Sequence, residues 1–138
     1  MPQEKHVDAS PFIKLDSITV GPGGTVATLF DAYSNHDYVV KPRALGGFTV
    51  NVSYYINGRK RPLRSDRELV ITDENNEEHK LAVIRIDDRD LIVRDQEHQY
   101  YKVHVGQTLA DMHQLTKDDL AALGIKEEPK PTTPAEEP

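Results

Sequence analysis

The nine residues from Phe48 to Ile56 alternate in character and run directly into Asn57-Gly58. Phe48, Val50, Val52, Tyr54 and Ile56 fall on one side of an extended chain, and Thr49, Asn51, Ser53 and Tyr55 on the other. A period of two is the signature of a strand with one buried face. Asn-Gly supplies two residues that tolerate positive φ, as the tightest hairpin turns require. The pattern predicts a β-hairpin, and pairing Ile56 with Arg59 across it places Leu63 opposite Val52 as an apolar pair.

The same grammar continues to Val105. Strands are expected over 68–72, 81–86, 90–94 and 100–105, separated by Asp73 to Glu78, Asp87-Asp88-Arg89 and Asp95 to His98. Connections this short make sequential strands pair antiparallel. Upstream, Phe12 to Val20 has strand character, and Gly21-Pro22-Gly23-Gly24 breaks it. Val26, Leu29, Phe30 and Tyr33 then fall at i, i+3, i+4 and i+7, which predicts a short amphipathic helix after Thr25. Tyr38-Val39-Val40 reads as a short strand before Lys41-Pro42, and Gly46-Gly47 resets the chain. Near the end, Thr116 and Asp119 form an Asp variant of the capping box. Leu115 and Leu120 are spaced for a hydrophobic staple and Gly124 stops the helix. Helix is predicted over 117–123, with Leu120 and Leu123 closing one end of the β structure.

The 138 residues have room for one core of moderate size. The expected organisation is a flexible N-terminus over 1–7, one β-rich domain over 8–125, and a disordered acidic tail over 126–138. From Glu127 the chain carries four prolines, four glutamates and one lysine, which amounts to half of the formal net charge of −6. A globally basic nucleic-acid footprint is therefore missing. The absence of cysteine removes disulfide frameworks, thiolate zinc sites and cysteine nucleophiles together. No stretch approaches the roughly 20 apolar residues that span a bilayer. The chain as given reads as soluble, in cytoplasm, periplasm or a virion.

Arg59, Lys60, Arg61, Arg64 and Arg67 place five cations within nine residues on the hairpin. A basic β-ribbon can straddle phosphates, with Tyr54 and Tyr55 nearby to stack bases. An acidic protein face would meet the same residues equally well, and so would plain solvent, since edge charges suppress strand-to-strand aggregation. Six histidines are present. His98 and His104 can share a strand face with Tyr100 and Lys102, but a lysine is a poor neighbour for a cation, and His-Glu-x-x-His spacing is missing. Asp87-Asp88-Arg89-Asp90 lacks the alternating ligands and glycine of a calcium loop. Gly21 to Thr25 lacks the Gly-Lys-Ser/Thr of a phosphate loop and reads as a strand-to-helix turn. No serine has nucleophile-elbow context. No enzyme, metal or cofactor is expected.

Residues 18–29 and 101–112 also align without gaps, matching at Val20/Val103, Gly23/Gly106, Thr25/Thr108 and Ala27/Ala110. Both read as strand, glycine turn and Thr-initiated helix. The second copy, extended to Ile125, resembles the opening of a LysM module on Tyr101, Val103, Gly106, Thr108, Leu109, Asp119 and Leu120. The resemblance implies binding of N-acetylglucosamine-containing glycans such as peptidoglycan. It stops at the short linker between the helices and at the acidic tail, which replaces the closing strand. Tyr101 to Leu109 also resembles the strand-glycine pattern of periplasmic connector domains in type II secretion and type IV pilus machines.

The expected fold is mostly β, a small antiparallel barrel or sandwich with a short helix after Thr25 and a capped C-terminal helix. The expected function is a non-enzymatic assembly or protein-binding module in a bacterial envelope or phage virion complex. It would engage protein partners and possess the capacity to form oligomers. The alternatives are nucleic-acid binding through Arg59, Lys60, Arg61, Arg64, Arg67 and Tyr55, and glycan binding by residues 101–125.

Overall fold

The computed structural model describes residues 12–72 and 77–126. Two five-stranded antiparallel meanders follow one another along the chain. The first sheet is β1 (Ile13–Gly21), β2 (Gly24–Asp31), β3 (His36–Pro42), β4 (Phe48–Ile56) and β5 (Arg59–Asp66), paired in that order. The second is β6 (Leu69–Thr72), β7 (Glu78–Ile86), β8 (Asp90–Arg94), β9 (Tyr100–His104) and β10 (His113–Gln114), again paired in chain order. A 3-10 turn, Leu109–Asp111, lies between β9 and β10, and one helix, α1 (Lys117–Ala122), follows β10. The architecture is the sandwich of the two forms expected from the sequence, and the sheets do not close into a barrel.

Each sheet turns one apolar face inward. Ile13, Leu15, Ala27, Leu29, Tyr38, Val40, Val50 and Val52 from the first sheet share a core with Leu69, Ile71, Leu81, Leu91, Val93, Tyr101 and Val103 from the second. Alternation decides which residues these are: along β2, Ala27, Leu29 and Asp31 are buried while the residues between them are not. The sheets are also tied by backbone. Gly106 donates to the Leu15 carbonyl at 2.8 Å and Leu15 donates to the Gln107 carbonyl at 3.0 Å, which fastens β1 to the loop after β9.

The helix predicted after Thr25 is a strand. Residues 24–31 run antiparallel to β1, with Gly21 opposite Gly24 across the two-residue turn Pro22-Gly23. Gly24 has φ of 121°, and a Cβ there would lie 2.8 Å from the Pro42 ring, so glycine is required twice over. The spacing of Val26, Leu29, Phe30 and Tyr33 is helical by coincidence. Thr25, Val26 and Thr28 are β-branched, and β1 offers an open edge one tight turn away. The structural echo between 18–29 and 101–112 is lost for the same reason, since the first copy is a hairpin and the second a strand followed by a 3-10 turn.

The Asn57-Gly58 hairpin forms as expected, with φ of 50° and 76° at its two turn residues and Ile56 opposite Arg59. Its base does not. Ser53 faces Pro62 and Val52 faces Arg64, so Leu63 is the extra residue of a β-bulge and is 44% exposed. The expected Leu63–Val52 pair is therefore absent, because Pro62 cannot donate to a ladder and the strand accommodates it by bulging at an edge.

The C-terminal capping box is complete: Asp119 N–H donates to Thr116 Oγ1 at 3.1 Å, and Thr116 N–H donates to Asp119 Oδ2 at 2.9 Å. The Thr116 backbone N–H, and after it the Thr116 hydroxyl, hold the exposed Asp119 carboxyl below the usual carboxylate range. Leu115 and Leu120 meet as the staple predicts, but α1 does not plug an end of the sandwich. It packs with Leu123 and Ile125 on the outer face of the second sheet, against Ile84, Ile92 and Tyr100. Ile84 faces outward by alternation from Val83, and the bulge there turns Arg85 outward as well, opposite Ile92. Arg85 then donates Nη1 to the Leu123 carbonyl at 2.7 Å, satisfying the helix end. The expected loop at 73–78 lies largely outside the described residues, as do the N-terminal segment and the tail from Glu127.

The bulge makes a paired test of register. Leu29→Ala, in the core, is expected to cost about 2–5 kcal/mol, whereas Leu63→Ala is expected to stay within about 0.5 kcal/mol, as read by denaturant unfolding. A comparable loss at both positions would restore the unbulged pairing.

Candidate functional site

The expected cations all lie on or beside the projecting β4–β5 hairpin, but the pleat divides them. Arg59 and Arg61 pair with Ile56 and Tyr54, on the side that continues the core face, and Lys60 pairs with Tyr55 on the opposite side. Every residue of β5 from Arg59 to Ser65 is exposed. Lys60 Nζ is 3.1 Å from an Asp37 carboxylate oxygen, and the Asp37 side chain is only 8% accessible beneath it. Arg64 donates Nε to Asp66 Oδ2 at 2.7 Å and reaches the Val70 carbonyl with Nη2 at 3.5 Å. Arg67 stands in the bend between β5 and β6. Two of the five positive charges are thus neutralised in place. Arg59, Arg61 and Arg67 form no ion pair among the described residues.

Tyr55 is not positioned as a free stacking platform. Its ring meets Phe30 edge-on, with centroids 6.1 Å apart, and its backbone is held by Asn35 on both sides: Tyr55 N–H donates to the Asn35 carbonyl, and Asn35 Nδ2 donates to the Tyr55 carbonyl, each at 3.2 Å.

The structure assembles a second polar group that the sequence analysis missed. Cross-strand rows place Asp31, His36, Tyr54 and Arg61 in line on the inner face of the first sheet, with Tyr38 and Arg64 in the next row. Asp31 is 3% exposed and accepts from Tyr33 N–H at 2.9 Å and from Ser34 Oγ at 2.8 Å. Ser34 Oγ also lies 3.0 Å from His36 Nδ1. Because the hydroxyl proton goes to Asp31, the oxygen can only accept from the imidazole, which is the reverse of what activates a serine nucleophile. Burial holds His36 below the usual histidine range, with Asp31 opposing and Arg64 adding to the shift. Burial, reinforced by Asp31 and Asp66 and opposed by Arg64, pushes the Tyr38 phenol up to about 12. The cluster therefore has a neutral, reluctant phenol and a serine with no base, and its chemistry is that of a capped turn. Asp31, Ser34, His36 and Tyr38 lie within eight residues of one another, but only the register joins them to Tyr54, Arg61 and Arg64.

The remaining candidates resolve into structure. His98 sits in the β8–β9 turn at φ of 65°, away from the strand face, while His104 Nδ1 lies 2.8 Å from Asp90 Oδ1. Asp87 pairs with Arg85 at 3.0 Å. Among the described residues no three His, Cys, Asp or Glu side chains converge as metal ligands. Gly21 to Thr25 is a hairpin turn and does not open a helix. In the region resembling a LysM module, Leu109–Asp111 is a 3-10 turn followed by the short strand β10, and α1 is the one α-helix. No helix of the described residues is long and apolar enough to cross a membrane. No protein-family model matches the chain, and no curated protein and no solved structure is detectably similar to it.

The Tyr38 environment has a measurable consequence. Its ordinary value is 10.0, and the folded chain keeps the proton to about 12. Unfolded chains release it first, so this contribution to stability is intact below pH 10 and is lost as pH rises through about 12. Alkaline titration of tyrosinate absorbance should show one late step that Tyr38→Phe removes. Titration of all six tyrosines in a single ordinary step would refute the burial of this phenol.

Proposed function

We propose that this chain is a non-enzymatic assembly or protein-binding module, and that the β4–β5 hairpin is a contact surface for an acidic protein partner. The observation that carries the reading is the hairpin itself: β5 is exposed along nearly its whole length and presents Arg59 and Arg61, with Arg67 beside it in the bend. The edge is built to refuse another strand, because Pro62, the bulge at Leu63 and the cations each oppose ladder formation. What remains is side-chain recognition, and exposed arginine next to tyrosine is the composition of protein-binding hot spots.

The split of the cations favours a protein over a nucleic acid. With Lys60 and Arg64 committed to Asp37 and Asp66, three arginines are left, on a chain whose net charge is −6. A nucleic-acid module gains its affinity from the number of phosphates it neutralises. Membership of a bacterial envelope or virion complex is supported by the resemblances in 101–125 alone, and peptidoglycan binding has the same support.

At about 10 µM protein and physiological salt, a labelled single-stranded oligonucleotide should show no change in anisotropy, whereas even non-specific binders reach that range. Affinity capture from extract of the source cells should recover a protein that is lost with the triple variant Arg59→Glu, Arg61→Glu and Arg67→Glu. Saturable oligonucleotide binding with a steep salt dependence would move the assignment to nucleic acid. Capture unaffected by the triple variant would remove the hairpin from the interface.

A further inference from the structure

Each of the two sheets has two edges, and three of these offer little to another strand. On β5, Pro62, the bulge at Leu63 and the cations oppose a ladder. β6 is four residues long, and Arg64 Nη2 already reaches the Val70 carbonyl at 3.5 Å. β10 is two residues long. The remaining edge, β1, is divided by its bulge at Asp16. Before the bulge, Leu15 exchanges backbone bonds with Gly106 and Gln107, at 2.8 and 3.0 Å. After it, Ser17 to Gly21 bond only to β2 among the described residues.

The register shows which backbone groups of this segment are unused. Gly21 faces Gly24 across a two-residue turn, so Gly21, Thr19 and Ser17 direct their N–H and C=O groups at β2. Those of Ile18 and Val20 point the other way. Side chains follow the same alternation. Ile18, opposite the buried Ala27, packs against the core, and Val20 lies two residues further along the same face, 75% exposed. Thr19 is exposed on the other face. From Ser17 to Gly21 there is no charge and no proline, the devices that keep an edge from pairing.

The segment is also complementary to itself. Its midpoint is Thr19. When a second copy is laid antiparallel about that residue, Ile18 meets Val20 of the second copy, and Val20 meets Ile18. Each pair exchanges both of its backbone bonds, so every unused donor and acceptor finds a partner. The same pairs set one apolar side chain beside another on the core side, which takes Val20 out of water. On the outer side the two Thr19 side chains stand together, a favourable cross-strand pair. Asp16 lies at the bulge end of the segment, so the carboxylates of the two copies fall at opposite ends of the contact.

We propose that two copies of this chain pair antiparallel through the Ser17–Gly21 edge of β1, centred on Thr19, and so join their first sheets into one continuous sheet. The contact is isologous and closes at two copies. The inference rests on the assembly reading and names one partner for it, at the opposite edge of the sheet from the hairpin strand β5.

Sedimentation velocity of the full chain over about a hundredfold range of concentration, reaching about 1 mM, tests it, because a contact of a few backbone bonds is weak. Average mass should rise from that of one chain towards that of two and no further. Val20→Pro removes an outward N–H that β2 does not use, and Thr19→Lys sets two like charges together at the axis. Each should raise the concentration of half-association by about tenfold, because symmetry applies the change twice. Thr19→Glu alone should do the same, whereas an equimolar mixture of the Thr19→Lys and Thr19→Glu chains should associate at least as well as the unmodified chain. Recovery on mixing cannot come from misfolded variants. A strict monomer throughout, growth past two copies, or a mixture no better than either variant alone would overturn the proposal. The triple arginine variant should dimerise as the unmodified chain does. A chain that captures its partner through the hairpin and yet stays monomeric refutes this inference alone, whereas dimers without capture support it and refute only the hairpin.

Discussion

Everything in this molecule depends on the burial of two alternating apolar faces against each other. A five-stranded meander with one apolar face cannot stand alone in water, and here two such meanders, made by consecutive stretches of chain, cover one another. Each fully buried Leu, Ile or Val is worth roughly 1.5–3 kcal/mol, and the shared core draws them from both sheets. The connections are short within each sheet, so the long-range work falls on the core and on the few backbone bonds that join β1 to Gly106 and Gln107.

Irregularities in the strands redirect side chains, and these are what give the surface its character. The bulge at Leu63 turns a leucine out of the core and brings Arg64 across from Val52, where it meets Asp66. The bulge at Ile84 turns Arg85 outward and aims it at the end of α1, beside the apolar seat that Ile84, Ile92 and Tyr100 give that helix. One extra residue inverts the facing of all that follows, so a single insertion changes which residues recognise and which pack. The same pleat separates Lys60 from Arg59 and Arg61, and converts a linear run of five cations into two faces with different partners.

Hairpin grammar made much of the fold legible. Asn57-Gly58, the Thr116–Asp119 capping box and the turns at 87–89 and 95–98 are local devices, with chemistry complete within a few residues. The region 24–31 misled because a short apolar spacing fits two periods, and a tertiary neighbour settled which one applied. The cations of the hairpin were visible as a run of letters. Their neutralisation by Asp37 and Asp66 was not, because those contacts depend on pairing across β3, β4 and β5. The row of Asp31, His36, Tyr54 and Arg61 was illegible for the same reason.

The sequence by itself determined the class of fold, the position of most strands and the capped helix, since alternation, turn residues and caps act over a few bonds. Tertiary structure alone decided that residues 24–31 extend, that Leu63 leaves the core, and that α1 covers the second sheet while the first has no described cover. Those outcomes rest on register and on which face meets which, and both are properties of pairs of distant segments that no local pattern encodes.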